Sequence, residues 1–396
     1  MSTATTTKQK PLVPELRFSD FSGEWERHPL SELVDNVGGT ALESHTDKQG
    51  THKFISIGNY STTGIYIDNG QRVVLNDKTK TKLLDKNNLA MVLNDKTASG
   101  DIIGSTILID EDDSYIYNQR TERLVCKENF LPKYAWLYLN SPRFRKRIVK
   151  ISQGGTQIYV NFPSVKRELV LIPKSNEQQK IADFLGSVDA WLDNLRGQKT
   201  ALQSYKQGMM QKLFTGQVRF KDEAGKSFPD WEEKQLGEIC KIRTGKKDVN
   251  QGNPDGKYPF FTCAKKHTYS DEYSFDCEAI LIAGNGEVGH SLRYSGKFEA
   301  YQRTYVLSDF MIRYDYVWTV INTLFEDYVT NQTQMGAMPY IKLGTLQTFV
   351  VPTPVEAEQQ KIADFLTALD QTITTKADEI TKVEEWKKGL MQKMFV

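Results

Sequence analysis

The chain is short of the features that usually betray chemistry. Its four cysteines, Cys126, Cys240, Cys263 and Cys277, form no C-x-x-C pair and no regular spacing. That argues against a disulfide framework or a zinc cluster and makes a reducing cytoplasm the default location. No apolar run approaches a membrane span, so no membrane partner is expected, and the Thr-rich start MSTATTTKQK lacks a signal-peptide core. Residues 1–13 read as a disordered tail. Charge of one sign is also lacking: 51 Lys and Arg face 50 Asp and Glu, for a net charge of +1. A strongly basic arm is thereby excluded, and any nucleic-acid binding must rest on local patches. The 396 residues, 39 % apolar and 26 % charged, are enough for two to three domains with real cores.

Catalytic signatures are missing as well. There is no G-x-x-x-x-G-K-[ST] phosphate loop, no H-E-x-x-H, no G-x-S-x-G and no Asn-Pro-Pro-aromatic or Asp-Pro-Pro-aromatic tetrapeptide of the kind that amino-methyltransferases use to hold an exocyclic amine. The five histidines (His28, His45, His52, His267, His290) are scattered without metal-binding spacing. Gly284 to Gly289 fits G-x-G-x-x-G after an apolar run, as a dinucleotide site would. The stretch after it, from His290 to Leu307, alternates like a strand rather than opening a helix, and Gly100 to Ser105 stands at the corresponding place in the first half. A glycine turn between strands is the better reading. The expectation is a binding protein with no catalytic residue, metal or cofactor of its own.

What the chain does have is a repeat. EQQKIADFL occurs at Glu177 to Leu185 and again at Glu358 to Leu366, and GMMQKLF at Gly208 to Phe214 returns as GLMQKMF at Gly389 to Phe395. Both run at one offset, 358 − 177 = 389 − 208 = 181, and 17 of the 38 paired positions are identical. Chance would supply about two or three. A second echo precedes each copy: Leu16-Arg17-Phe18 leading to Trp25-Glu26 matches Val218-Arg219-Phe220 leading to Trp231-Glu232. A third is Gln119-Arg120-Thr121 against Gln302-Arg303-Thr304. Little else matches, so a divergent block alternates with a near-constant helical one.

The helical blocks carry a heptad seam. Ile181, Leu185, Val188, Leu192, Leu195 and Leu202 in the first, and Ile362, Leu366, Leu369, Ile373, Ile380 and Val383 in the second, fall at alternating spacings of three and four. Lysines such as Lys206 and Lys387 interrupt it. Pro173 and Pro354 end the preceding strands and let the helices begin after them. Each helix spans about 57 Å. The intervening residues 215–357 form a block under roughly 40 Å across, too short to carry the chain back along a parallel pair. Antiparallel pairing about an approximate twofold axis is therefore expected, the alternative being a dimerising coiled coil in which each helix pairs with another chain.

The divergent blocks read as mixed α/β. Tyr134 to Ile151 and Tyr314 to Val329 look helical, and Lys166 to Pro173 and Leu346 to Pro352 look like strands. The expected fold is α+β: two mixed α/β domains joined by two long antiparallel coiled-coil helices in a pseudo-twofold internal repeat. Its parts are a first domain over 14–176, a helix over 177–214, a second domain over 215–357 and a helix over 358–396. The loops carry cations for phosphates and amides for base edges: His52, Lys53, Lys78, Lys80, Arg120, Lys246, Lys247, Lys265, Lys266, Asn285 and Arg303.

The lead-in PELRFSDFSGEWERHPLSEL, a proline before EQQKIADFL, the helix end GMMQKLF and the repetition of the whole order resemble the specificity subunit of a type I restriction-modification system. The resemblance runs from about Pro14 onward. It implies two target recognition domains, each reading one half of an asymmetric bipartite site in double-stranded DNA, with helices that set the spacer between the halves. It also implies that the helices bind two modification subunits, which bring S-adenosylmethionine and methylate adenine. Restriction subunits join that core and use ATP, and Mg, like the other cofactors, is expected only in the partners. The alternative is a stand-alone coiled-coil DNA-binding adaptor without a methylase partner.

Overall fold

The computed structural model describes residues 12–286, 288–332 and 340–396. The expected tail over 1–13 lies almost wholly outside the described residues. The chain divides into two compact units, residues 1–196 with 378–396, and residues 197–377.

In the first unit an antiparallel sheet runs in the order Val34–Gly38, Thr121–Cys126, Leu89–Val92, Thr106–Leu108. A second sheet orders Arg72–Val73, His52–Ile55, Tyr115–Tyr117 and Leu83–Leu84 around one parallel pair. The second unit gathers its main strands into one six-stranded sheet, ordered Lys241–Thr244, Thr304–Ser308, Phe275–Ala283, Ser291–Ala300, Tyr258–Phe261, Thr268–Ser270. Each unit also closes its ends with a strand pair made in the same way: Glu26–Pro29 runs antiparallel to Leu169–Ile172, and Glu232–Gln235 to Val350–Thr353.

The recurring sequence around each long helix is explained by what it buries. Glu177, 2 % exposed, accepts two hydrogen bonds from the Arg17 guanidinium at 2.8 and 2.7 Å and one from the Trp25 indole at 3.3 Å. Glu358, fully buried, accepts the same set from Arg219 (3.2 and 2.7 Å) and Trp231 (2.9 Å). A buried carboxylate demands a charge partner and further donors. Hence Arg and Trp recur in the lead-in wherever Glu recurs at the helix start. The next residue fastens the strand to the helix: the Gln178 amide donates to the Pro173 carbonyl at 2.9 Å, and Gln359 to Pro354 at 2.7 Å.

The long helices are Ser175–Phe214 and Glu356–Met394, each opening two residues before its Glu-Gln-Gln. Each unit holds the beginning of one beside the end of the other, running antiparallel. In the first unit Ile181, Leu185, Val188, Leu192 and Leu195 are buried in one core with Ile380, Val383, Leu390 and Met394. In the second unit Ile362 and Leu366 share a core with Leu213. Leu202, Leu369 and Ile373, from the central turns, are only half-buried. The lysines that interrupt the seam find equivalent partners: Lys387 pairs with Asp189, and Lys206 with Asp370 at 2.6 Å. All four residues are identities of the repeat, related by 181.

Four predicted elements need correction. Tyr134 to Ile151 is two helices, Pro132–Leu139 and Pro142–Ile151, because Ser141 caps the second through the Phe144 amide and Pro142 occupies its first turn. The strands expected at Lys166 to Pro173 and Leu346 to Pro352 shrink to Leu169–Ile172 and Val350–Thr353. Short helices, Phe162–Val165 and Leu343–Gln347, precede them. The helix expected over Tyr314 to Val329 extends over Tyr314–Gln332.

Candidate nucleic-acid interface

Backbone bonds show that the two units build one frame twice. The Gln-Arg-Thr turn stands before the strand in both, and its Thr pairs with Val92 in one unit and with Ala283 in the other. Leu93 N–H donates to the Arg120 carbonyl and Gly284 N–H to that of Arg303, both at 2.9 Å. Val160 N–H in turn donates to Leu93 at 2.9 Å, and Ile341 N–H to Gly284 at 2.8 Å. Tyr159 therefore sits opposite Asn94 as Tyr340 sits opposite Asn285. The glycine motif is the turn that was expected: Gly104 donates to Val92 and Gly289 to Ala283, each glycine with a positive φ (71° and 80°) that other residues resist. A second glycine pair, Gly39 and Gly245, lies so close to the backbone of Asn118 and Ala300 that an added Cβ would stand 1.7 Å from a carbonyl oxygen.

Each frame encloses an open cleft of about 510 Å³, within the range of small-ligand sites. In the first unit Asn94, Gln119, Glu122, Tyr159, Asn161 and Ser164 line it. In the second the polar lining is Gln302, Arg303, Tyr305, Tyr340 and Lys342. Tyr159 and Tyr340 are 41 % and 53 % exposed, so each cleft has an aromatic face at its mouth. The Thr of each turn points inward: Thr121 Oγ1 meets the Tyr60 hydroxyl at 2.9 Å, and Thr304 donates to the Phe261 carbonyl at 3.3 Å. The Gln-Arg-Thr echo thus combines a structural Thr with an outward Gln.

The frames differ in charge. Glu122 is buried and accepts from the Asn36 amide at 2.6 Å; burial pushes its carboxyl up from the ordinary range, opposed by Asn36 and by the charge of Lys82. Tyr305 takes its place in the second unit and donates to the Ile341 carbonyl at 2.9 Å. Asn161 of the first cleft is replaced by Lys342, and Arg303 lines the second cleft, whereas the half-buried Arg120 is not among the lining residues of the first.

The candidate cations divide accordingly. In the second unit Arg303 lines the cleft and Asn285 sits opposite its Tyr340, while the segments carrying Lys246, Lys247, Lys265 and Lys266 are tied only to the Gln302-Arg303 turn: Gln302 N–H donates to the Lys247 carbonyl at 3.0 Å, and the Cys263 thiol to that of Arg303 at 3.4 Å. Lys247 is engaged in the fold, reaching Ser270 at 3.1 Å and the buried Glu299 at 3.6 Å. In the first unit His52 and Lys53 lie on the second sheet and Lys78 and Lys80 on the short helix Asp77–Lys80, away from the cleft-building strands. Lys53 is spoken for by the Tyr115 ring, 4.8 Å from its centroid, and by Glu111; Lys78 and Lys80 are exposed. Sequence reasoning missed Asn94, Glu122, Tyr159, Asn161, Tyr340 and Lys342. One signal was available, since 340 − 159 = 181 carries the repeat offset upstream of the helices.

Aromatic clusters on the helices are duplicated too. Phe18, Phe184, Trp386 and Trp191 form a chain of edge contacts in the first unit, with Trp191 and Trp386 half-exposed. Phe220, Phe365 and the half-exposed Tyr205 repeat it in the second. Trp386 and Tyr205 occupy equivalent repeat positions, as do Phe184 and Phe365, since 386 − 205 = 365 − 184 = 181.

These features define a class, a tandem-duplicated α+β protein whose copies each carry a cleft domain and a long helix. Comparison with known proteins gives the particular family. The profile described as type I restriction modification DNA specificity domain matches residues 22–204 and 229–385, and the chain belongs to that family. A specificity subunit of the type I restriction enzyme EcoDI of Escherichia coli is 39 % identical over 155 residues, 39 % of this chain and 34 % of that protein. The MjaVIII specificity subunit of Methanocaldococcus jannaschii is 27 % identical over 50 % of this chain and 47 % of its own length. The chain thus spans less than half the length of these two relatives. The putative MjaX specificity subunit of the same organism is 25 % identical over 93 % of this chain and 92 % of its own. In fold the chain is similar to the S subunit of a type I restriction-modification system from M. genitalium, with a TM-score of 0.60 at 19 % identity, covering 97 % of this chain and 99 % of that one. A chain from a solved type I R-M system gives 0.59 at 15 %, covering 94 % and 97 %. Among the described residues no helix is long and apolar enough to cross a membrane.

Proposed function

We propose that this chain is the DNA-recognition subunit of a type I restriction-modification complex. Each unit reads one half of an asymmetric bipartite site, and the chain positions modification subunits, with restriction subunits joining them, at that site. The observation that carries this reading, beside the family, is one cleft frame built twice with different charged residues, as expected of two readers that share a job and differ in target. The chain itself contributes binding; S-adenosylmethionine, ATP and Mg belong to its partners, and the complex works in the cytoplasm. The duplicated aromatic clusters favour two copies of one partner, because equivalent surfaces fit the same partner twice.

The test is coexpression with the cognate modification subunit in cells free of other adenine methylation, followed by single-molecule sequencing of the genome. A split motif methylated once on each strand is the expected result. Absence of methylation, with a stable complex and a competent methylase confirmed, would overturn it in favour of the adaptor.

A further inference from the structure

The two clefts share a frame and oppose one another in charge. Asn94 and Asn285, Gln119 and Gln302, and Tyr159 and Tyr340 stand at matching positions. Each Gln meets an acid at a short helical turn far earlier in the chain: Gln302 donates to Asp248 at 3.0 Å, and Gln119 to Glu43. Residues common to both copies cannot distinguish two half-sites, so discrimination falls to those that differ. In the first cleft these are Asn161 and Glu122; in the second they are Lys342 and Tyr305, together with Arg303, whose repeat equivalent Arg120 is the same residue but does not line the first cleft. The side chains of Asn161, Arg303 and Lys342 are exposed and have no hydrogen-bond or ion-pair partner among the described residues.

Base edges in the major groove distinguish these two chemistries. Cations that donate pairs of hydrogen bonds match the O6 and N7 acceptors of guanine, whereas amide and carboxylate oxygens accept from the exocyclic amino groups of adenine and cytosine. We propose that the paired clefts are the specificity-determining sites of the two units, the second reading a guanine through Arg303 and Lys342 and the first an amino-bearing base through Asn161 backed by Glu122. This rests on the DNA-recognition reading and adds which residues carry it. On this reading the exposed Lys78 and Lys80, away from the first cleft, are left for phosphate contact rather than base readout.

The substitutions lie at exposed positions, and the readout is the methylated motif. Arg303→Gln with Lys342→Asn, coexpressed with the modification subunit, is expected to relax one guanine in one half-site by roughly ten-fold or more, leaving the other half unchanged. Asn161→Lys is expected to alter one position of the other half-site only. Lys78→Gln with Lys80→Gln is expected to lower methylation of all sites together with no change of motif. If the wild-type chain yields a bipartite motif and the cleft variants copurify with the methylase yet keep that motif at both halves, the clefts do not read bases. Relaxation at a position that is not guanine equally overturns the assignment. A wild-type chain that directs no methylation would instead remove the DNA-recognition reading itself, so the two failures are separable.

Discussion

Glu177 and Glu358 account for much of what the repeat preserves. A carboxylate at the first turn of a helix is favoured by the free amides there, but that alone would leave it in solvent. Here each is buried under a tryptophan and bridged by an arginine from a lead-in more than a hundred residues earlier in the chain. The hydrogen bond to Glu358 also raises the Arg219 guanidinium above its ordinary pKa. Removing one partner of such a pair strands a buried charge. Arg17→Ala is expected to lower the stability of the first unit by about 3 kcal/mol. Combining Arg17→Met with Glu177→Leu should recover most of that, because an apolar pair of similar size needs no counter-charge. Urea denaturation of the three proteins decides the matter; equal stability of wild type and Arg17→Ala would refute the argument.

At the scale of elements, heptad spacing predicted one uniform seam, and the molecule distributes burial unevenly along it. Leu192 is 3 % exposed in the core of the first unit, whereas Leu202 lies half-buried in the central turns. Leu192→Ala is therefore expected to cost about 3 kcal/mol and Leu202→Ala under about 1.5, since the cavity left behind scales with what surrounded the side chain. Chemical denaturation gives both values, and a larger loss at Leu202 would reverse the ranking. The polar interruptions obey the same logic: a lysine on the seam is tolerated where an aspartate of the facing helix meets it, as at Lys206 and Asp370.

For the whole molecule, duplication is the organising fact. A surface built twice is suited to recruiting one partner twice, and the half-exposed Trp386 and Tyr205 are the aromatic residues of that surface. Buried aromatics dominate the energetics of interfaces. On the proposed reading, in which the chain recruits two modification subunits, Trp386→Ala and Tyr205→Ala are each expected to leave one bound, and the double variant none. Native mass spectrometry reads the stoichiometry directly. Two bound subunits in the double variant would place docking elsewhere.

The sequence by itself determined the architecture, because periodicity and repetition are properties of the chain written in its own order. The offset of 181 located both long helices, heptad spacing located their seam residues, and a separate echo located the lead-ins that cover them. It did not reveal why Arg17 and Arg219 recur, since their partners are remote in sequence. Nor did it separate Lys247, which is held by buried Glu299, from Arg303, which is exposed at a cleft. A lysine in a loop reads the same whether it braces a sheet or faces solvent. Only the pairing of strands decided that, by bringing Asn94 opposite Tyr159 and Asn285 opposite Tyr340. Clefts are made by residues far apart along the chain, and their charge is set by which of those residues the sheet register brings together.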